Sequence, residues 1–462
     1  MYRFAANTLD KSVGGCPARN WGTNVAEEPR VVIVGDNASF HFGGEASLPL
    51  HHFMGLRRRG IEAWLIVHER TRAELTALLG ADIDRVTFIP DRAIHLICWK
   101  LGRFLPAQVS YLTLGWISRL ATQRTAQRLT RALVRERRVT VVHQPTPVSP
   151  REPSLLYDMG APVIIGPMNG NMAYPAAFRG SVWGQSMLSR IIGAARRISD
   201  LFHRLMPGKI RAQMIIVANA RTQNGLPKAV RGEVRKLVEN GVDLTVWTPR
   251  GQHGQERNAK RPPHFVFMGR LVDWKAVDIA ISALARMEHP DATFEIIGDG
   301  PMRPALMALG ERLGLKDRLR FSGWLSQADC VEKLDTADAL LLPSIYECGG
   351  AVVLEAMSCA RPVIATAWGG PLDYLDEGCG ILIPPTSREA MISGFAAAMD
   401  RLAADPDLRR AMGEAGRTRI LQDYSWDAKV EVMLGIYSST ANLRPSAPTS
   451  YRLLLSAISL QA

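Results

Sequence analysis

The sequence predicts an α/β protein made of two doubly wound, parallel-sheet domains. Three observations lead to this. At 462 residues the chain exceeds what a single hydrophobic core usually serves. Short apolar runs alternate with helical stretches, the pattern of parallel strands covered on both faces. The alternation stops in a polar stretch with Gly and Pro at 241–263 and restarts with the strand His264 to Met268. The expected divisions are a mobile tail at 1–29, a first domain at 30–240, a linker at 241–263, a second domain from 264 to 425 and an unassigned tail at 438–462.

The first domain opens with the β-branched strand Arg30 to Val34, a glycine-bearing turn containing Gly43 and Gly44, and a helix from about Glu45 to Arg59. Strand, glycine turn and helix form the first unit of a doubly wound sheet. Further strands are expected at Ala63 to Val67, Val86 to Ile89, Thr140 to Val142, Val163 to Ile165 and Ile215 to Ala218. His143 follows the fourth of these six, where a side chain leaving the carboxyl end of a strand points into the ligand crevice. The Gly-, Pro- and Asn-rich segment Gly166 to Gly180 is too long for a mere connection and is expected to bind an acceptor. A basic helix-like run follows, from Ser186 to Arg211.

The second domain carries the denser signals. Its first strand ends in Gly269 and Arg270, with Lys275 just before a helix. The strand Thr293 to Ile297 runs into a loop with Gly298 and Gly300, and a strand near Arg320 and Phe321 precedes Gly323 and Trp324. Strands at Ala339 to Leu342 and Pro362 to Ala365 flank a turn and helix that place Glu347 and Glu355 eight residues apart. Gly349, Gly350 and Ala351 open that helix, where missing side chains let an anion approach backbone amides. A last strand at Gly380 to Pro384 is followed by helices from Arg388 to Tyr437.

Taken together, the paired glutamates, the preceding Pro-Ser, the following Glu-Ala-Met and Pro-Val-Ile-Ala-Thr, and the Gly-Arg-Leu before Lys275 resemble glycosyltransferase family 4. That resemblance implies the GT-B fold, two Rossmann-like domains facing across a cleft, with a final helix at 426–437 crossing back to the first domain. It implies retaining transfer of a sugar from a nucleotide-diphosphate sugar to a saccharide or lipid-linked acceptor, as in polysaccharide or glycolipid synthesis. Arg270 and Lys275 would hold the diphosphate, Glu347 and His143 the donor sugar, and Glu355 the ribose. Gly43 and Gly44 would face the diphosphate and acceptor, Gly298 and Gly300 the nucleotide, and Trp324 the base. Ala276 stands where the family has glycine. Two other readings use the same pocket: a sugar-nucleotide epimerase and a catalytically silent binding subunit. No cofactor and no divalent metal is implied, and Asp82 to Asp84 reads as a helix-end turn.

Composition sets the outer limits. With 47% hydrophobic and 22% charged residues, the chain is an ordinary folded protein. Its six cysteines form no Cys-x-x-Cys pair, so reduced thiols in the cytoplasm are expected. The first residues lack the apolar core of a secretion signal, and Phe104 to Ser118, broken by Pro106, falls short of the roughly 20 apolar residues of a membrane span. Net charge is +12 but uneven, with 36 Lys and Arg against 19 Asp and Glu up to Lys260, and 20 against 25 beyond. Ten basic residues and one acid lie between Arg92 and Arg138, interleaved with Trp99, Phe104, Tyr111 and Trp116. This suits an anionic membrane surface, with the protein peripheral on its inner face, and equally two helices with an arginine-rich solvent side. No nucleic-acid motif accompanies the charge, and no nucleic-acid partner is expected.

Overall fold

The computed structural model describes residues 28–105, 109–110, 113–179, 201–250 and 261–442. The expected tails at 1–29 and 438–462, the basic run after Gly180 and the middle of the linker fall largely or partly outside these residues.

The described strands form two parallel sheets. The first holds β1 (Val31–Val34), β2 (Ala63–His68), β3 (Val86–Ile89), β4 (Val141–Gln144), β5 (Val163–Met168), β6 (Met214–Val217) and β7 (Glu233–Lys236), in the order β3-β2-β1-β4-β5-β6-β7. The second holds β8 (His264–Met268), β9 (Thr293–Ile297), β10 (Leu319–Gly323), β11 (Ala339–Leu342), β12 (Val363–Thr366) and β13 (Gly380–Ile383), in the order β10-β9-β8-β11-β12-β13. In-register pairs such as Val31 with Ala63 and Val31 with Val141 fix β1 between β2 and β4 inside the first sheet. Chain order reverses beside β1 and beside β8, and ligands of open parallel sheets bind outside the carboxyl ends of strands at such switch points.

Burial on both faces explains why these strands are apolar without alternation. Val31 and Ile33 join one core and Val32 and Val34 another, on opposite faces of the first sheet. The second sheet and its helices share one core that includes Phe265, Phe267, Leu341, Leu354 and Phe395. The edge strand β7, Glu-Val-Arg-Lys, differs: charged side chains on a half-open edge discourage pairing with another chain.

The chain crosses between domains twice, side by side. Val242 N–H donates to the Tyr424 carbonyl at 2.8 Å, and Trp426 N–H returns to the Val242 carbonyl at 3.0 Å. The helix Trp426–Ala441 then packs on the first domain, adding Val430, Met433, Ile436 and Tyr437 to the core beneath β1. Arg59 secures it by donating to Asp427 Oδ1 at 3.2 Å.

Candidate functional site

Loops at the β8 and β11 switch point carry the expected charged groups. After β8 the chain turns through Gly269 and Arg270 into the short helical turn Asp273–Lys275, and Lys275 Nζ donates to the Glu347 carboxylate across the switch point. Both side chains are largely buried, at 15% and 12% exposure. Arg270 is exposed and has no carboxylate partner among the described residues. One cation is therefore committed to a glutamate, and the other is open to an incoming anion. Ala276 takes a left-handed conformation, φ 48°, which glycine would adopt with less strain.

The β11 loop enters the helix Ala351–Ser358 through Gly350, whose φ of +80° favours a residue without Cβ. This turn aims the first amides of the helix into the crevice. Glu355 lies one turn further on, with no hydrogen-bond or ion partner among the described residues, and burial raises its carboxyl to about 7. The loops beneath are in backbone contact. A Cβ on Gly298 would lie 2.0 Å from the Gly269 carbonyl oxygen, and Gly269 N–H donates to Ile297 at 3.0 Å. Gly300 sits in the same way beside Leu271, so the β8 and β9 loops pack as one platform. The Gly349 carbonyl, in turn, lies against Gly370.

The structure thus brings together Gly269, Lys275, Gly298, Gly300, Glu347, Gly349 and Gly350, with Arg270 at the rim and Ala351 and Glu355 on the helix behind. Trp324 stands 66% exposed beyond the edge strand β10. Gly43 and Gly44 lie exposed after β1, with open space where their Cβ atoms would be.

His143 is corrected. Strand β4 continues through Gln144, so His143 is not at a strand end but inside the sheet, fully buried against the last helix. Its Nε2–H donates to the Gly166 carbonyl at 2.6 Å, and its Nδ1 accepts from the Tyr437 hydroxyl at 2.7 Å. Burial pushes the ring down to about 4, so it is neutral and ties sheet to helix instead of facing a sugar. Replacing Tyr437 by Phe leaves Nδ1 unpaired in the core, and a loss of about 1–2 kcal/mol is expected in urea unfolding, with nucleotide affinity unchanged.

The segment after Gly166 spans the two domains. Asn169 Nδ2 donates at 2.9 Å to both the Glu239 carboxylate and the Cys348 carbonyl, and Arg221 Nη2 donates to Asn169 Oδ1 at 2.8 Å. Asn219 reaches Asp373 at 2.7 Å, Trp368 Nε1 donates to the Ala173 carbonyl at 2.8 Å, and the rings of Tyr174 and Tyr346 lie 4.8 Å apart. These residues hold the β11 loop from the first-domain side; Asn169, Ala173 and Tyr174 lie in the Gly166 to Gly180 segment expected to bind an acceptor, whereas no local pattern marks Asn219 and Arg221. Cys348, beside Glu347, has its thiol pushed up to about 12 by burial, which makes it a poor nucleophile.

Among the described residues, one group has the composition of a metal site: His68, Asp91 and His95, with ligand atoms within 4.8 Å of one another. Nδ1 of His68 already accepts from Arg70 N–H at 3.3 Å, and Nδ1 of His95 from Arg92 N–H at 3.0 Å. With those lone pairs engaged, the group is better suited to a closed polar cluster around Asp91 than to a cation.

Residues 250–419 match the model of the family described as glycosyl transferases group 1. An alpha-D-kanosaminyltransferase of Streptomyces kanamyceticus is 34% identical over 178 residues, 38% of this chain and 45% of that protein. The lipopolysaccharide core biosynthesis glycosyltransferase LpsE of Rhizobium meliloti is 32% identical over 178 residues, 38% of this chain and 50% of that protein. The chain thus spans about half the length of these curated relatives. Among solved structures, Anabaena Alr3699/HepE in complex with UDP superposes with a TM-score of 0.59 at 16% identity, over 89% of this chain and all of that one. The two-sheet architecture is therefore the GT-B fold.

Proposed function

We propose that this chain, whose residues 250–419 match the model of the group 1 glycosyl transferases, moves a sugar, with retention, from a nucleotide-diphosphate sugar to a saccharide or lipid-linked acceptor. The observation that carries the reading is the set of charges at the β8–β11 switch point: Lys275 on Glu347, Arg270 open, and Glu355 half-buried without a partner among the described residues. Arg270, Lys275 and the amides opening Ala351–Ser358 meet the negative charge that grows on a departing diphosphate, the electrostatic contribution that usually weighs most in such sites. Lys275 fixes the Glu347 carboxylate for donor-sugar hydroxyls, and Glu355 accepts from the ribose. The acceptor approaches from the first domain on the face that the phosphate leaves, so the phosphate takes the acceptor's proton and no separate base is invoked. With Arg270 open to the diphosphate and Lys275 shared between it and Glu347, the proposed mechanism calls on no divalent metal. HepE binds UDP, which makes a uridine nucleotide the first donor to try.

We place the reaction in polysaccharide or glycolipid synthesis, with the protein peripheral on the cytoplasmic face of an anionic membrane. The basic first domain supports this, and no described helix is long and apolar enough to cross a membrane. Thermal unfolding with uridine, guanosine and adenosine diphosphates tests the donor reading. One of them at about 100 times its dissociation constant adds roughly 2.7 kcal/mol, and Arg270→Ala loses most of that gain. No stabilisation by any of the three, or undiminished stabilisation of the variant, removes the reading.

A further inference from the structure

A second cavity, of about 1050 Å³, lies in the first domain at the carboxyl ends of β2 and β3, between the helices Ala93–Gly102 and Leu114–Arg137. This is at the upper end of the roughly 300–1,000 Å³ typical of small-molecule sites. Its walls are of two kinds. Leu96, Trp99, Leu105 and Leu114 supply apolar surface, and Arg92 and Arg103 supply cations. Neither arginine has a carboxylate partner among the described residues, and the Arg103 guanidinium stands 5.3 Å from the centre of the Trp99 ring. The one carboxylate in the wall, Asp91, is 60% exposed and lies 3.3 Å from His68 Nε2 and from His95 Nδ1.

Around the mouth, the apolar surface is open. Trp99 is 61% exposed and Phe104 86%, and Leu205, on the neighbouring helical residues 201–205, is 66% exposed. Trp116 and Phe202, with ring centres 4.6 Å apart, join these two parts into one patch. Monomeric proteins seldom leave contiguous apolar surface of this kind uncovered unless it binds something. Unpaired arginines at its edge define the partner further: an apolar chain that carries an anionic head.

The cavity also faces the crevice side of the first sheet. Arg70, just after β2, lies in its wall. Resting on the glycosyl-transfer reading above, we propose that this cavity holds the lipid-phosphate portion of the acceptor, with the chain along Leu96, Trp99 and Leu114 and the phosphate at Arg92 and Arg103.

Farnesyl phosphate, below its micelle concentration, is the probe, with farnesol, inorganic phosphate and phosphatidylglycerol vesicles alongside, and binding is followed by calorimetry on the full chain. The wild type is expected to bind farnesyl phosphate at least about tenfold more tightly than farnesol or phosphate, since apolar burial and charge pairing then act together. Trp99→Ala and Arg103→Ala, both at exposed positions, each weaken it about tenfold or more without changing the response to nucleotide diphosphate. Nucleotide binding without farnesyl phosphate binding, variants that bind the probe like wild type, or binding to vesicles alone would overturn the assignment and leave the donor reading standing. Probe binding that is lost in both variants, in a protein that ignores every nucleotide, keeps the cavity and removes the donor reading.

Discussion

Arg270→Ala is expected to lower sugar transfer by about 10²- to 10³-fold and leave the unfolding midpoint within about 0.5 kcal/mol of wild type. The side chain is exposed and holds no carboxylate, so its removal strands nothing. Lys275→Ala should lose a similar factor in transfer and also stability, because the Glu347 carboxylate, only 12% exposed, is left without its cation. An unpaired, largely buried charge costs about 1–3 kcal/mol. The contrast separates a charge kept for a ligand from one kept for the fold. Turnover of both variants within about threefold of wild type would remove the diphosphate role from this loop. Restoration of Lys275→Ala stability by a second change, Glu347→Gln, without restoration of turnover, is the expected double-variant result.

That the charged loops were legible in the sequence, and much of the first domain's contribution was not, follows from distance along the chain. Gly269, Arg270 and Lys275 lie within seven residues of one another after an apolar strand, and Glu347, Gly349 and Gly350 within four. A local pattern can record such a site. Asn169 and Cys348 are 179 residues apart, and only the packed domains bring them together. The same reasoning covers the strands. Most of the thirteen are apolar runs because both faces are covered, and the expected positions of these agree with them to within a few residues. The edge strand β7 carries three charges in four residues and gives no apolar signal. His143 failed for another reason. Its strand was expected to stop at Val142, and extending it to Gln144 moved the ring from the crevice into the core. The helix that covers it arrives from almost 300 residues further on, as Tyr437.

Glu355→Gln is expected to raise the stability of the unliganded protein and weaken its nucleotide binding. Burial lifts the carboxyl from an ordinary 4.5 to about 7, so the folded state holds the proton more tightly than the unfolded chain. The group therefore favours folding fully below pH 4.5, and that contribution is lost as the pH rises through 7. At pH 8 the native site confines a charged carboxylate without a partner, at a cost of roughly 1–3 kcal/mol. Glutamine keeps the shape without the charge. Its variant should gain most of that energy at pH 8 and little at pH 4, in urea unfolding followed at both. Binding runs the other way. A carboxylate accepts from two hydroxyls at once, whereas the amide offers one oxygen and turns a donor toward the ligand. Loss of a charged hydrogen bond is worth about 1.5–3 kcal/mol, so affinity for the nucleotide diphosphate should fall about 10- to 100-fold. A variant that is no more stable at pH 8 and binds the nucleotide like wild type would show that Glu355 is neither strained by burial nor held ready for a ligand. A gain in stability with unchanged binding would keep the burial argument and remove the ribose role.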